Sequence, residues 1–87
     1  MVAQNRSLKI SKQAHKFIKS LPEKQRKAVK TTINMLIEEG FHGLDIKRLL
    51  PYPNEFRLRI GRVRILFRYT DEQLFIFKAH YRGTVYK

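Results

Sequence analysis

The sequence predicts an α+β fold in a single domain, residues 1–87: an N-terminal strand, a helical hairpin, then a three-stranded antiparallel meander, with the helices packed on one sheet. Three stretches carry this prediction. From Glu55 to Tyr69, Phe56, Leu58 and Ile60 alternate with Arg57 and Arg59, and beyond Gly61-Arg62 the residues Val63, Ile65, Phe67 and Tyr69 alternate with Arg64, Leu66 and Arg68. That two-residue period is a strand period, broken where a glycine sets a hairpin turn. Ala14, Phe17, Ile18 and Leu21 fall at the i, i+3, i+4, i+7 spacing of one helical face. Gln73 to Ala79 is a nearly continuous apolar run, which suits a central strand buried on both faces.

In chain order, Ser7-Leu-Lys-Ile-Ser11 alternates and reads as a short strand, with Ser11 as the N-cap of the first helix. Lys12, Lys16 and Lys19 lie off that helix's apolar face, and the helix ends near Ser20. Leu21-Pro22 breaks it, because the residue before a proline is pushed out of the helical region. Pro22 is suited to be the first residue of a second helix, running to Glu39 with Ala28/Val29, Thr32/Ile33 and Leu36/Ile37 as its stripe and Gly40 as its C-cap. Phe41 to Leu44 is a loop, and Asp45 to Leu50 fits either a helical turn or an extended piece. Pro51-Tyr-Pro-Asn54 is a loop leading into the hairpin, where glycine at the first turn position suits type II′ geometry.

Composition narrows the function. The 87 residues carry a net charge of +12, no cysteine and ten aromatic side chains. Both halves are basic, which favours a polyanion or an acidic protein partner and predicts salt-sensitive binding. Without cysteine there is no disulfide framework and no thiolate metal site. No signal-peptide run and no stretch of membrane-spanning length occurs, so a cytoplasmic location and no membrane contact are expected. His15, His42 and His80 are isolated from one another and from carboxylates at metal-binding spacing, so no metal and no cofactor are expected. Phosphate loops and nucleophile elbows are absent as well.

What remains is a basic set, Arg57, Arg59, Arg64, Arg68, Lys78 and Arg82, with Tyr86 near the end. Guanidinium forks bind phosphate in bidentate fashion and keep their charge at neutral pH. Held on strands, they stabilise developing negative charge with little reorganisation. A nearby phenol either stacks on a base or transfers a proton. The competing explanation is that strand arginines only solvate a sheet face and discourage edge pairing.

FRLRIGRVRILFRY at Phe56–Tyr69 resembles the RelE/ParE superfamily of small toxins of toxin–antitoxin systems, with its aromatic, Arg-x-Arg, glycine turn and Arg-x-x-aromatic pattern. Lys16-Phe-Ile-Lys-Ser-Leu-Pro22 and Tyr81-Arg82…Val85-Tyr86 resemble the family's first helix and closing motif. The resemblance implies a ribosome-dependent, metal-independent endoribonuclease that cuts messenger RNA by attack of a 2′-hydroxyl on the adjacent phosphate, with a cognate antitoxin as partner. The family also includes gyrase inhibitors of the ParE type, which are not enzymes, so that function and an inactive basic nucleic-acid binder stay open as alternatives. Carried over by residue, the implied catalytic set is Arg57, Arg59, Arg64, Arg82 and Tyr86. Arg62, Arg68, Lys78, Tyr81, Lys47 and Arg48 are the expected RNA contacts around it. Arg57 and Arg59 stand where the best-known nucleases have lysines, and Tyr81 stands where many relatives have histidine. Because arginine hardly deprotonates, proton handling is left to Tyr86 or replaced by positioning and charge stabilisation.

Overall fold

A computed structural model describes residues 6–82. Its elements are β1 (Ser7–Ile10), α1 (Lys12–Lys19), α2 (Glu23–Glu39), β2 (Ile46–Arg48), β3 (Glu55–Ile60), β4 (Val63–Tyr69) and β5 (Gln73–Tyr81). Among the described residues the strands form one five-stranded mixed sheet in the order β1-β5-β4-β3-β2. The expected meander is present, and two edge strands extend it. β1 runs parallel to β5, while β2 adds antiparallel to β3 and makes Ile46–Arg48, the middle of the ambiguous Asp45–Leu50 stretch, extended.

Local chemistry accounts for the helices. The Ser11 hydroxyl accepts from the Ala14 amide at 3.1 Å and donates to the Phe77 carbonyl at 3.0 Å, capping α1 and tying it to β5. Pro22 is not the first helical residue: its ψ of 151° is extended, and its carbonyl accepts from the Arg26 amide at 2.9 Å, which makes it the N-cap. The helix therefore begins one residue later than the proline preference suggests. Gly40, at φ 80°, closes α2 as expected.

Ala14, Ile18 and Leu21 join Val29, Ile33 and Leu36 of α2 over the inward face of the sheet, against Leu58, Val63, Ile65, Phe67, Leu74, Ile76 and Ala79. Phe41, whose sequence context reads as loop, packs its ring 4.9 Å from Phe56, 5.9 Å from Phe67 and 4.8 Å from Tyr69, closing the end of this core. Both helices lie on this side. The other face of the sheet is left to the polar positions of the hairpin, so β5 is buried on one face only: Phe75 and Phe77 are half-exposed. A run of apolar residues looks the same from sequence whether its second face is covered by protein or by cations.

The hairpin turn matches its expectation. Gly61 has φ 59° and Arg62 is not in the positive-φ region, the combination of a type II′ turn.

Candidate functional site

The register of the open face arranges its side chains in rows across the strands. The row nearest the turn runs from Asp45 through Arg59 and Arg64 to His80: the Arg59 amide donates to the Asp45 carbonyl at 3.0 Å, Arg59 pairs with Arg64, and Arg64 pairs with His80. The next row holds Lys47, Arg57, Leu66 and Lys78. A third holds Glu55, Arg68, Phe75 and Lys9. Between the second and third rows, β5 carries a bulge at Phe77, since Lys78 opposes Leu66 while Ile76 opposes Phe67. The extra residue shifts the phase of the strand. Without it Ala79 would face outward and His80 would point into the core.

Arg57, Arg59 and Arg64 form the centre. The Nε of each is withdrawn from solvent and has no hydrogen-bond partner among the described residues. A buried donor left unsatisfied costs about 1–3 kcal/mol, and more when the group is charged, so these three Nε groups are positions where an acceptor from outside the described residues, water or an anion, would be bound. Among the described residues Asp45 supplies the counter-charge, with its Oδ1 3.4 Å from Arg57 Nη2 and its Oδ2 3.9 Å from Arg59 Nη1. It engages terminal nitrogens and leaves the Nε donors unpaired. Burial, and next the Arg59 guanidinium, push the Arg57 pKa below its ordinary value; Asp45 opposes the shift and Arg64 adds to it. A cation whose folded pKa is lowered destabilises the fold at every pH below that pKa. Arginine titrates so high that this penalty is constant through the neutral range and Arg57 stays charged there.

His80 completes the row. Its Nδ1 lies 3.1 Å from the Tyr81 carbonyl, and a carbonyl oxygen only accepts, so Nδ1 carries the hydrogen. In the neutral ring Nε2 then holds the lone pair, on a residue that is the cross-strand partner of Arg64. Among the described residues no group of three or more His, Cys, Asp or Glu side chains is placed to hold a metal ion, and no helix is long and apolar enough to cross a membrane.

No protein-family model matches the sequence, and no curated protein does so. Solved structures do match in shape. The RelE–RelB complex of Pyrococcus horikoshii contains a chain that superposes with a TM-score of 0.76 at 24% identity, covering 93% of this chain and 99% of the other. The YoeB dimer of Staphylococcus aureus matches at 0.73 and 18% identity over 90% and 98%. The E. coli DinJ–YafQ toxin–antitoxin complex matches at 0.74 and 14% identity over 95% and 99%. The chain has the RelE-like toxin fold.

On this fold the residues singled out from sequence divide into groups. Arg57, Arg59 and Arg64 come together on the open face, with Lys47 and Lys78 at the two ends of the second row. Arg82 sits at the turn: its amide donates to the Arg62 carbonyl at 2.8 Å, and its Nη1 lies 3.5 Å from the Gly61 carbonyl. Arg62 is exposed in the turn itself. Arg68 is committed to Glu55 at 2.8 Å, directly across the strand pair. Two residues stand away from the cluster. Arg48 pairs with Phe56, on the helix side of the sheet, and its guanidinium lies 6.0 Å from that ring. Tyr81 pairs with Val63 on the same side, packs edge-on at 5.0 Å from Phe17 and points its hydroxyl at Gln25 Oε1, 3.4 Å away. The bulge phase explains Tyr81: once His80 faces outward, its neighbour must face the helices. Tyr86 lies outside the described residues.

Sequence reasoning missed Asp45 and His80. Neither sits in a motif, and each is brought to the row by pairing with a distant strand. Only the even spacing of Lys78, His80 and Arg82 signals that His80 shares a face with the arginines.

Proposed function

We propose that this chain is the toxin of a toxin–antitoxin pair and cleaves messenger RNA on the ribosome. The observation that carries this reading is the trio of solvent-shielded Nε donors on Arg57, Arg59 and Arg64, held together on the open face by two paired strands. A scissile phosphate presents the acceptors these donors lack, and its charge grows during reaction, when fixed guanidiniums are worth most. In the reaction the ribose 2′-oxygen forms a bond to the adjacent phosphorus and the bond from phosphorus to the 5′-oxygen breaks, leaving a cyclic phosphate and a 5′-hydroxyl. His80 Nε2 accepts the 2′-hydroxyl proton; the three arginines orient the phosphate and offset its charge; Arg82 stabilises that charge or the leaving oxygen. Tyr86 stacks on the substrate or returns a proton to the 5′-oxygen, a role that rests on the resemblance of the closing motif alone. The general base is thus a histidine on the strand, which removes the difficulty of a site built from arginines.

The RelE and YafQ neighbours were solved with RelB and DinJ, and a net charge of +12 suits an acidic, amphipathic antitoxin for this chain too. The deciding experiment expresses the chain and maps message ends on ribosomes while gyrase supercoiling is followed in parallel. New ends within ribosome-bound messages, with supercoiling normal, are expected. Intact messages with impaired supercoiling would replace this reading with gyrase inhibition of the ParE type.

A further inference from the structure

The open face carries more than charge. Phe75 and Phe77 project from β5 onto the side of the sheet that no helix covers, with ring centroids 6.2 Å apart and planes tilted by 50°. Both are half-exposed, and neither belongs to the hydrophobic core. Cations stand over them: Lys9 Nζ is 5.4 Å from the Phe75 centroid, and the Arg68 guanidinium carbon is 5.8 Å from that of Phe77. The bulge is what allows Phe77 and Lys78 to follow one another on this face and still bury Ala79. Phe77 lies three residues from His80, about 10 Å along the strand at the usual rise, which is within reach of neighbouring nucleotides on one strand of nucleic acid.

We propose that Phe75 and Phe77 form a base-stacking platform for single-stranded RNA whose phosphate lies among Arg57, Arg59 and Arg64. This rests on the reading of the arginine cluster as an RNA site and names how that site holds the flanking bases. Aromatic rings fixed on a sheet, flanked by cations that track a backbone, are how sheet-faced modules bind single strands, and every base has a face to stack. The rows supply that combination: Lys9 and Lys78 flank the rings, Arg68 stands over Phe77 while paired with Glu55, and the arginine cluster continues the positive track toward the turn. An acidic peptide would satisfy the cations and make no use of the rings beneath them.

The test is equilibrium binding of a short 2′-O-methyl oligouridylate, which cannot undergo 2′-hydroxyl attack, to the full chain without ribosomes. Phe75→Ala and Phe77→Ala should each weaken binding by about 5- to 100-fold, the scale of losing one stacked base. Phe75→Leu and Phe77→Leu, which keep apolar bulk on the sheet, should lose nearly as much and show unaltered circular dichroism. The slope of affinity against salt should stay unchanged in the phenylalanine variants and become shallower in Lys78→Gln. Leucine variants that bind like the parent, or an abasic backbone of equal length that binds as tightly as the oligonucleotide, would overturn the platform. So would phenylalanine variants that lose an acidic peptide and keep the RNA. Binding that depends on the rings without any message cleavage would leave the platform standing and remove the nuclease, so the two failures are distinct.

Discussion

Arg59 and Arg64 stand directly opposite each other on β3 and β4, and the Nε of each is shut off from solvent with no partner among the described residues. Like charges facing each other across a strand pair oppose folding, by roughly 0.2–1 kcal/mol relative to a neutral pair. Arg64→Gln should therefore leave stability unchanged or slightly raised in urea melts, while toxicity and phosphate-dependent RNA binding collapse. A variant that loses activity together with its circular-dichroism signal would count against a site at this pair.

Asp45 is the counter-charge to this cluster, and its removal separates its structural and functional effects. Arg57 is 13% exposed and Asp45 56%, so Asp45→Asn should cost at most about 1 kcal/mol of stability, the scale of a solvent-screened pair. The loss should be greater at low salt, where Arg57, Arg59 and Arg64 repel one another unscreened. Titration with inorganic pyrophosphate should show tighter binding than in the parent, because the terminal nitrogens of Arg57 and Arg59 are released; weaker binding would mean that Asp45 orients the guanidiniums for the anion.

His80 is tested by substitution. His80→Gln should slow single-turnover cleavage by about 10²–10⁴-fold, with RNA affinity little changed. Cleavage at the parent's rate in the variant would assign the 2′-hydroxyl proton to another group.

Gln13 offers a test of how β5 is held beyond the reach of β1. Its side-chain amide donates to the Ala79 carbonyl at 2.7 Å and accepts from the Ala79 amide at 2.9 Å, taking the place of a neighbouring strand. Gln13→Met leaves both backbone groups without these partners, and a loss of about 1–3 kcal/mol should appear as a lower urea midpoint at constant slope. Hydrogen exchange at the Ala79 amide should rise more than at the Leu74 amide. Equal change at both would show that the strand opens as one unit.

The sequence by itself determined the hairpin, the two helices and the identity of the basic cluster. Each of these is encoded by contacts a few residues apart: Arg57 and Arg59 share a face because strands repeat every two residues, Gly61 turns the chain because its positive φ suits no other residue as well, and Ser11 caps the helix that it begins. Tertiary structure decided what those signals leave open. That β1 runs parallel to β5, that Asp45 reaches Arg57 and Arg59, and that Phe41 closes the core all depend on pairing between segments far apart in the chain. The bulge at Phe77 decided most for the site, turning His80 toward the arginines and Tyr81 toward Phe17. A one-residue phase change in a strand leaves no periodic trace in a run as uniformly apolar as Leu74 to Phe77. It is set by which side chains the helices can bury, here Ala79 in place of Lys78 or His80, and burial against helices is a property of the whole fold.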